Sequence, residues 1–462
     1  MYVIYSLLLG LAFLILLPRF LLDAFRHGKY VAGFRERLGR LSPLANAGKP
    51  VVWIHCVSVG ETQAARPLVQ GIKERFPETL IAVSTITVTG QNLAREVFKH
   101  EAARVFYFPF DWRWTVRRTL KAIKPSAVVV METELWPGFL RECKRQQIPV
   151  ALVNGRLSEQ SHRRYRLIRG FMTRVLESLN LAVMQTEADA QRLRSLGMDA
   201  RKIITSGSLK FDAAVTPASN SPESSDSLTT LFRERFQLHA ECPLILAAST
   251  HAPEERIVVD AFRQIASGSD PRLRLMIAPR HPERFAEVAA LIEASGLRWA
   301  RRSAAANPDD AESEVILLDS IGELRSVYAL APIVFVGGSI ARTGGHNVIE
   351  PAAVGAAVIT GAHTFNFQQI LETFLNAGAI VQLPPLSELS DSEATRELAA
   401  AISQLLTDAS RRAELGARAR ELVKQNCGAA ERTLQSLTPL LSQPASVTDH
   451  AGSASARYAP IA

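Results

Sequence analysis

Val51-Val52-Trp53-Ile54-His55-Cys56 runs through Val57-Ser58-Val59-Gly60-Glu61 to Thr62, from which helical spacing continues to Phe76. A short apolar, β-branched run, a turn and then an amphipathic stretch form the pattern of a buried strand handing the chain to a helix. The pattern recurs. Apolar runs at 80–84, 127–131, 150–153 and 182–185 are separated by stretches such as 115–123 that carry helical spacing. Strands covered on both faces read as unbroken apolar runs, so this alternation predicts an α/β protein with a doubly wound parallel sheet. Residues 213–227, rich in Ser, Pro and Ala, interrupt the series, which resumes at 244–248, 273–278, 315–318, 333–337 and 357–360. The expectation is two Rossmann-like halves joined by a linker, with strand C-termini and bound ligands facing a cleft between them.

The totals agree with two domains, because 462 residues exceed the roughly 250–300 at which a single core stops growing. A formal charge of +8 suits an anionic partner: nucleic acid, anionic lipid or an acidic substrate. An aromatic content of 7% with no basic stripe interleaved with aromatics weighs against nucleic acid. Cys56, Cys143, Cys242 and Cys427 lie far apart with no CxxC pair, which weighs against a zinc site or disulfide framework and fits a reducing cytosol. At the N-terminus, residues 1–18 carry no charged side chain, and a helix there covers about 27 Å, the short end for crossing a bilayer. Arg19 and Phe20 follow directly, without a small-residue cleavage site, so the segment reads as an uncleaved anchor. Arg19, Arg26, Lys29, Arg35, Arg37 and Arg40 then place the rest of the chain in the cytosol. A helix lying in the interface is the alternative. The resulting division is an anchor at 1–22, a first domain at 23–212, a linker at 213–230, a second domain with a terminal helix at 231–441 and a disordered tail at 442–462.

Chemistry-bearing residues fall at the predicted strand ends. Glu61 follows the first strand, either a first-turn carboxylate favoured by the helix dipole or a group facing the cleft. Met131-Glu132-Thr133-Glu134-Leu135-Trp136-Pro137 places two carboxylates beside a tryptophan after another strand, suited to hydroxyl binding or proton abstraction. In the second half, Pro279-Arg280-His281-Pro282-Glu283-Arg284 offers a guanidinium fork to a phosphate or carboxylate. Val336-Gly337-Gly338-Ser339 and then Gly344-Gly345-His346-Asn347-Val348-Ile349-Glu350-Pro351 form a glycine-rich loop leading into a helix, whose amides and dipole can receive an anion. Asn347 as N-cap with Glu350 as its capping partner is compatible with that role. Neither GxGxxG nor GxxxxGK[ST] is present, which weakens dinucleotide and P-loop readings.

With Asn154-Gly155-Arg156-Leu157-Ser158, Gly207-Ser208-Leu209-Lys210-Phe211-Asp212 and Ala248-Ser249-Thr250-His251, these motifs run in order to about Gln369. The set resembles the 3-deoxy-D-manno-octulosonic acid (Kdo) transferases. Ser208 and Gln160 depart from the family pattern, where Asn and Arg are usual. The resemblance implies a GT-B fold and inverting transfer of Kdo from CMP-Kdo to a lipid A precursor at the cytoplasmic side of the bacterial inner membrane. It implies Glu61 as general base, with Ser58, Gly60, Glu132, Glu134 and Arg156 on the acceptor. The donor falls to Ser249, Thr250, Arg280, His281, Gly337, Gly338, Ser339, Gly344, Gly345, His346, Asn347 and Glu350. Arg163, Arg164, Arg166 and the basic residues near the anchor would meet acceptor phosphates and anionic lipid. No metal held by an Asp-x-Asp pair and no cofactor beyond the co-substrate CMP-Kdo is expected. A GT-B enzyme with a UDP-sugar donor, and a non-catalytic binding module, are the competing readings.

Overall fold

The computed structural model describes residues 2–27, 33–216, 222–239, 243–267, 272–385 and 391–442. The chain divides into two compact units, one of residues 1–209 and 428–462 and one of residues 210–427. In the first unit the strands are β1 (Val51–His55), β2 (Leu80–Thr85), β3 (Ala102–Tyr107), β4 (Ala127–Met131), β5 (Val150–Gly155), β6 (Leu181–Met184) and β7 (Ile203–Thr205). They pair in parallel in the order β3-β2-β1-β4-β5-β6-β7. Every residue of β1 is buried, with Val51 and Trp53 in the core on one face and Val52 and Ile54 in the core on the other. That alternation between two apolar layers is why Val51 to Ile54 include no polar residue, and each such side chain contributes about 1.5–3 kcal/mol on burial; His55, which ends the strand, is buried with its Nδ1 2.9 Å from the Ser84 hydroxyl.

The second unit repeats the design with β8 (Leu244–Thr250), β9 (Arg274–Pro279), β10 (Trp299–Arg301), β11 (Val315–Leu317), β12 (Ile333–Val336), β13 (Ala357–Thr360) and β14 (Val381–Gln382). Their parallel order is β10-β11-β9-β8-β12-β13-β14. The winding direction reverses between β1 and β4 in the first sheet and between β8 and β12 in the second. Loops diverge at such reversals, which leaves room for ligands at the strand C-termini.

Three boundaries differ from the sequence reading. Of the expected linker at 213–230, the described residues 213–215 and 222–230 are helical, within Leu209–Val215 and Pro222–Arg235, and 217–221 lie outside the described residues. Phe211, Ala214, Phe232 and Phe236 are buried in the second core, and Arg325 bonds the carbonyls of Ala213, Ala214 and Thr216. The Ser-rich composition masked that apolar spacing. The terminal helix, Ala429–Leu441, belongs to the first unit: Ala429, Leu434 and Leu437 join the core that contains Leu68 and Ile72, and Arg432 donates to the Ser206 carbonyl. Third, no helix among the described residues is long and apolar enough to cross a membrane. Residues Tyr2–His27 are helical, but Tyr5 donates to Asp111 at 2.8 Å, Tyr2 packs on Phe171, and Phe13 packs on Phe110 and Trp112. Ile4, Leu7, Leu8, Leu11, Leu14 and Ile15 form the opposite, exposed stripe. Of the expected tail, only Ser442 is described; 443–462 lie outside the described residues.

Candidate active site

Glu61 is the third residue of the helix Val59–Arg75, which starts directly beyond β1. Only 6% of it is exposed. Its Oε2 accepts the Val57 N–H at 2.8 Å and its Oε1 the Ser58 hydroxyl at 3.3 Å. Burial, and then the negative charge of Glu132, push the Glu61 carboxyl up to about 8, against the opposing Val57 bond. A carboxyl so raised exchanges protons near neutral pH. Gly60 is exposed beside it, and a Cβ there would meet only the Ser58 hydroxyl, at 4.0 Å.

The loop beyond β4 supplies the neighbouring charge. Glu132 has a left-handed φ of 52°, and its N–H donates to Val153 at 2.9 Å. A non-glycine residue rarely adopts that conformation, and such residues collect at functional sites. Thr133 donates to the carbonyl of Arg156, joining this loop to the one after β5. Burial also raises Glu134, with Trp136 opposing and Glu132 adding to the rise. The three carboxylates therefore share one region at the reversal of the first sheet. Cys56, fully buried among them, has its thiol pushed far up by burial and then by Glu61 and Glu132, which makes it unreactive. Asn154, also left-handed at φ 54°, accepts the Leu209 N–H at 3.0 Å and positions the chain where it leaves the unit.

In the second unit a basic cluster occupies the corresponding reversal. The Nε2 atoms of His251, after β8, and His346 lie 2.8 Å apart with stacked rings. His281 meets His251 edge-on at 5.0 Å. A 2.8 Å pair of imidazole nitrogens requires one N–H and one lone pair, so the two rings hold at most one positive charge between them. Burial, then Arg280, His251 and His281, depress His346 to about 3, and burial followed by His281 lowers His251. Arg280 and His281 are exposed, and Ser249, His346, Asn347 and Glu350 half-buried. Arg284 serves the framework, pairing at 2.6 Å with buried Glu255 and at 2.7 Å with Glu287.

Several expected donor contacts are corrected. The amides of Gly338 and Ser339 are not open to an anion, because both donate to the carboxylate of Glu254. The Gly345 N–H donates to the Gly338 carbonyl at 2.7 Å. Thr250 and Ser339 are fully buried; the Ser339 hydroxyl donates to Val336 and accepts from Gly361. Gly337 and Gly344 are packing glycines, since a Cβ at the first would lie 2.8 Å from Glu254 and at the second 2.4 Å from Asn366. Asn347 accepts from the Ile349 N–H at 3.1 Å but precedes the N-cap, which is Val348. Sequence reasoning passed over His251 as a site residue and Glu254 altogether. A local signal existed for Glu254 alone, a proline followed by two glutamates in a first helical turn beyond a strand, and it did not mark the residues that Glu254 holds. Among the described residues, no group of three or more His, Cys, Asp or Glu side chains is disposed to hold a metal ion.

Two doubly wound parallel-sheet units, one carrying acids and the other histidines and arginine at its reversal, define an α/β protein of the GT-B-like class. The chain is similar over 84% of its length to UDP-GlcNAc 2-epimerase from Neisseria meningitidis, all of which is covered, at 12% identity and a TM-score of 0.57, a likeness of fold alone. Residues 32–213 match a family model described as 3-deoxy-D-manno-octulosonic-acid transferase. The chain is 33% identical over 412 residues to the 3-deoxy-D-manno-octulosonic acid transferase of Haemophilus influenzae, covering 88% of this chain and 92% of the relative. It is 34% identical to that of Bordetella pertussis, covering 87% and 90%. The chain belongs to the 3-deoxy-D-manno-octulosonic acid transferase family.

Proposed function

We propose that the protein transfers Kdo from CMP-Kdo to a hydroxyl of a lipid A precursor with inversion at the anomeric carbon. The observation that carries this reading is the buried Glu61, whose carboxyl is raised to about 8 beside Glu132 at the sheet reversal. The acceptor hydroxyl oxygen bonds to the anomeric carbon while Glu61 takes its proton. The bond from that carbon to the phosphate oxygen breaks, and CMP leaves with the electron pair. Glu132, Glu134, Ser58, Gly60 and Arg156 serve the acceptor. Arg280, His281, His346 and His251 serve the donor phosphate and carboxylate, with Ser249, Asn347 and Glu350 as further polar groups; a guanidinium and an imidazole N–H stabilise the departing phosphate. The protein works at the cytoplasmic face of the inner membrane. The exposed stripe on the N-terminal helix supports burial of that helix in one leaflet, lying in the interface with its other face on the first unit.

Purified protein mixed with CMP-Kdo and a tetraacylated lipid A precursor should yield a product heavier by Kdo, read by mass spectrometry. Absence of that product, with heat protection by UDP and none by CMP, would reverse the donor assignment.

A further inference from the structure

The carboxylate of Glu254 has 0% exposure and accepts five backbone N–H groups from two loops. Oε2 takes His251 at 2.9 Å and Gly338 at 2.7 Å, while Oε1 takes Ser339 at 2.9 Å, Ile340 at 2.9 Å and Ala341 at 3.1 Å. A buried carboxylate is costly unless its lone pairs are filled, and here they are filled by backbone rather than by a cation. The linkage continues outward. The Gly338 carbonyl accepts the Gly345 N–H at 2.7 Å and the Thr343 hydroxyl at 3.0 Å, which fixes the backbone immediately before His346. On the other side, the Glu254 N–H donates to the His251 carbonyl at 2.7 Å, so His251 is held by both its N–H and its carbonyl. A single carboxylate thus connects the backbones that carry the two imidazoles lying 2.8 Å apart.

We propose that Glu254 is the positioning residue of the donor site, an internal anion that clamps the Gly338–Ala341 backbone to the His251 backbone and thereby sets the His251–His346 pair. The inference rests on the reading of that pair as part of the donor site. Glu254 itself touches no substrate. The glycine-rich loop, which looks from its sequence like a cradle for a ligand's phosphate, has its amides turned inward onto the protein's own carboxylate, and recognition of the donor passes to the side chains that the clamp holds in place. Glu254→Gln puts an NH2 group where acceptors are needed, and Glu254→Asp keeps the charge but withdraws it by one methylene.

The test uses the full chain in detergent and reads two quantities. Hydrogen exchange followed by mass spectrometry reports the amides of 337–345, with β1 to β5 as the reference for intact folding. CMP-Kdo affinity and KM are measured beside acceptor KM. The expected result for Glu254→Gln is loss of protection confined to 337–345 and to the segment around His251, with donor affinity weakened by roughly tenfold to hundredfold, as for a misplaced binding group. Acceptor KM should stay within about twofold, and Glu254→Asp should recover part of the donor affinity. Unchanged protection of 337–345 in a folded variant overturns the clamp. Lost protection with unchanged donor affinity overturns the assignment of the histidine pair to the donor and leaves the clamp standing. If Glu254→Gln does not accumulate as folded protein, Glu254→Asp carries both readings.

Discussion

Glu61→Gln keeps the size of the side chain and one carbonyl acceptor for the bonds from Val57 and Ser58, so the helix start stays in place while the proton acceptor is lost. Transfer should fall by roughly 10²–10⁴-fold with donor affinity retained. Turnover near that of the unsubstituted protein would move the base to Glu132 or Glu134. The raised carboxyl also fixes two pH dependences. In the proposed role of base, Glu61 works when ionised, so the transfer rate should climb with pH until about 8 and then level. For stability the sign is the reverse. Between the ordinary value of 4.5 and about 8 the folded state retains a proton that the unfolded chain has released, so this group's contribution is present at low pH and is lost as pH rises through that window. The Tm of Glu61→Gln relative to the unsubstituted protein should therefore increase with pH up to about 8; parallel Tm curves would count against a buried, raised carboxyl. At Arg280, loss of the fork with retention of charge separates shape from sign: Arg280→Lys should weaken CMP-Kdo use and Arg280→Ala weaken it more, with acceptor KM unmoved. A loss confined to the acceptor would reassign Arg280 to the lipid. The position of Glu61 was legible from sequence because a strand-to-helix turn is local. The inward direction of the Gly338 and Ser339 amides was not, since their partner stands 84 and 85 residues earlier.

At the scale of elements, the interior strands were readable and the edges were not. The strands missing from the sequence reading are β3, β7, β10 and β14, the two edges of each sheet. An edge strand has one neighbour and a partly wetted face, so it carries no unbroken apolar run. In β3 only the last two residues are buried, in β7 only the first, in β10 only the middle one, and in β14 neither. The terminal helix offers a test of the same kind. Leu437 is fully buried against the first unit, and Leu437→Ala should cost about 2–5 kcal/mol of stability. Because Ala429–Leu441 packs on the helix that begins beside Glu61, exchange protection around Val59–Arg75 should fall in that variant. Loss of protection confined to the second unit would show that the helix belongs there, as its position in the sequence suggests.

For the whole molecule, every residue assigned to the base, acceptor or donor lies beyond Arg40, and the N-terminal helix is given only the task of location. Leu7→Ser, Leu11→Ser and Leu14→Ser together polarise its exposed stripe and leave Tyr2, Tyr5 and Phe13 on the body of the first unit. That variant should lose flotation with anionic vesicles and keep its rate on detergent-dispersed acceptor; an inactive but folded variant would place the helix in the site itself. The sequence alone determined the two parallel sheets, the burial of their central strands and the siting of Glu61, Glu132 and Arg280 just beyond strand ends. Each of these follows from periodicity over a few residues, because a strand covered on both faces must be apolar throughout and must end in a turn. Tertiary structure alone decided that the last helix returns to the first unit, 226 residues after the Ser206 carbonyl it binds through Arg432. It also decided that the N-terminal helix lies along that unit, that His251 joins His346, and that the glycine-rich loop closes on Glu254. The physical reason is common to all four: hydrogen-bond partners and packing surfaces far apart in the chain are chosen by the geometry of the folded backbone, and no local spacing of residue types records that choice.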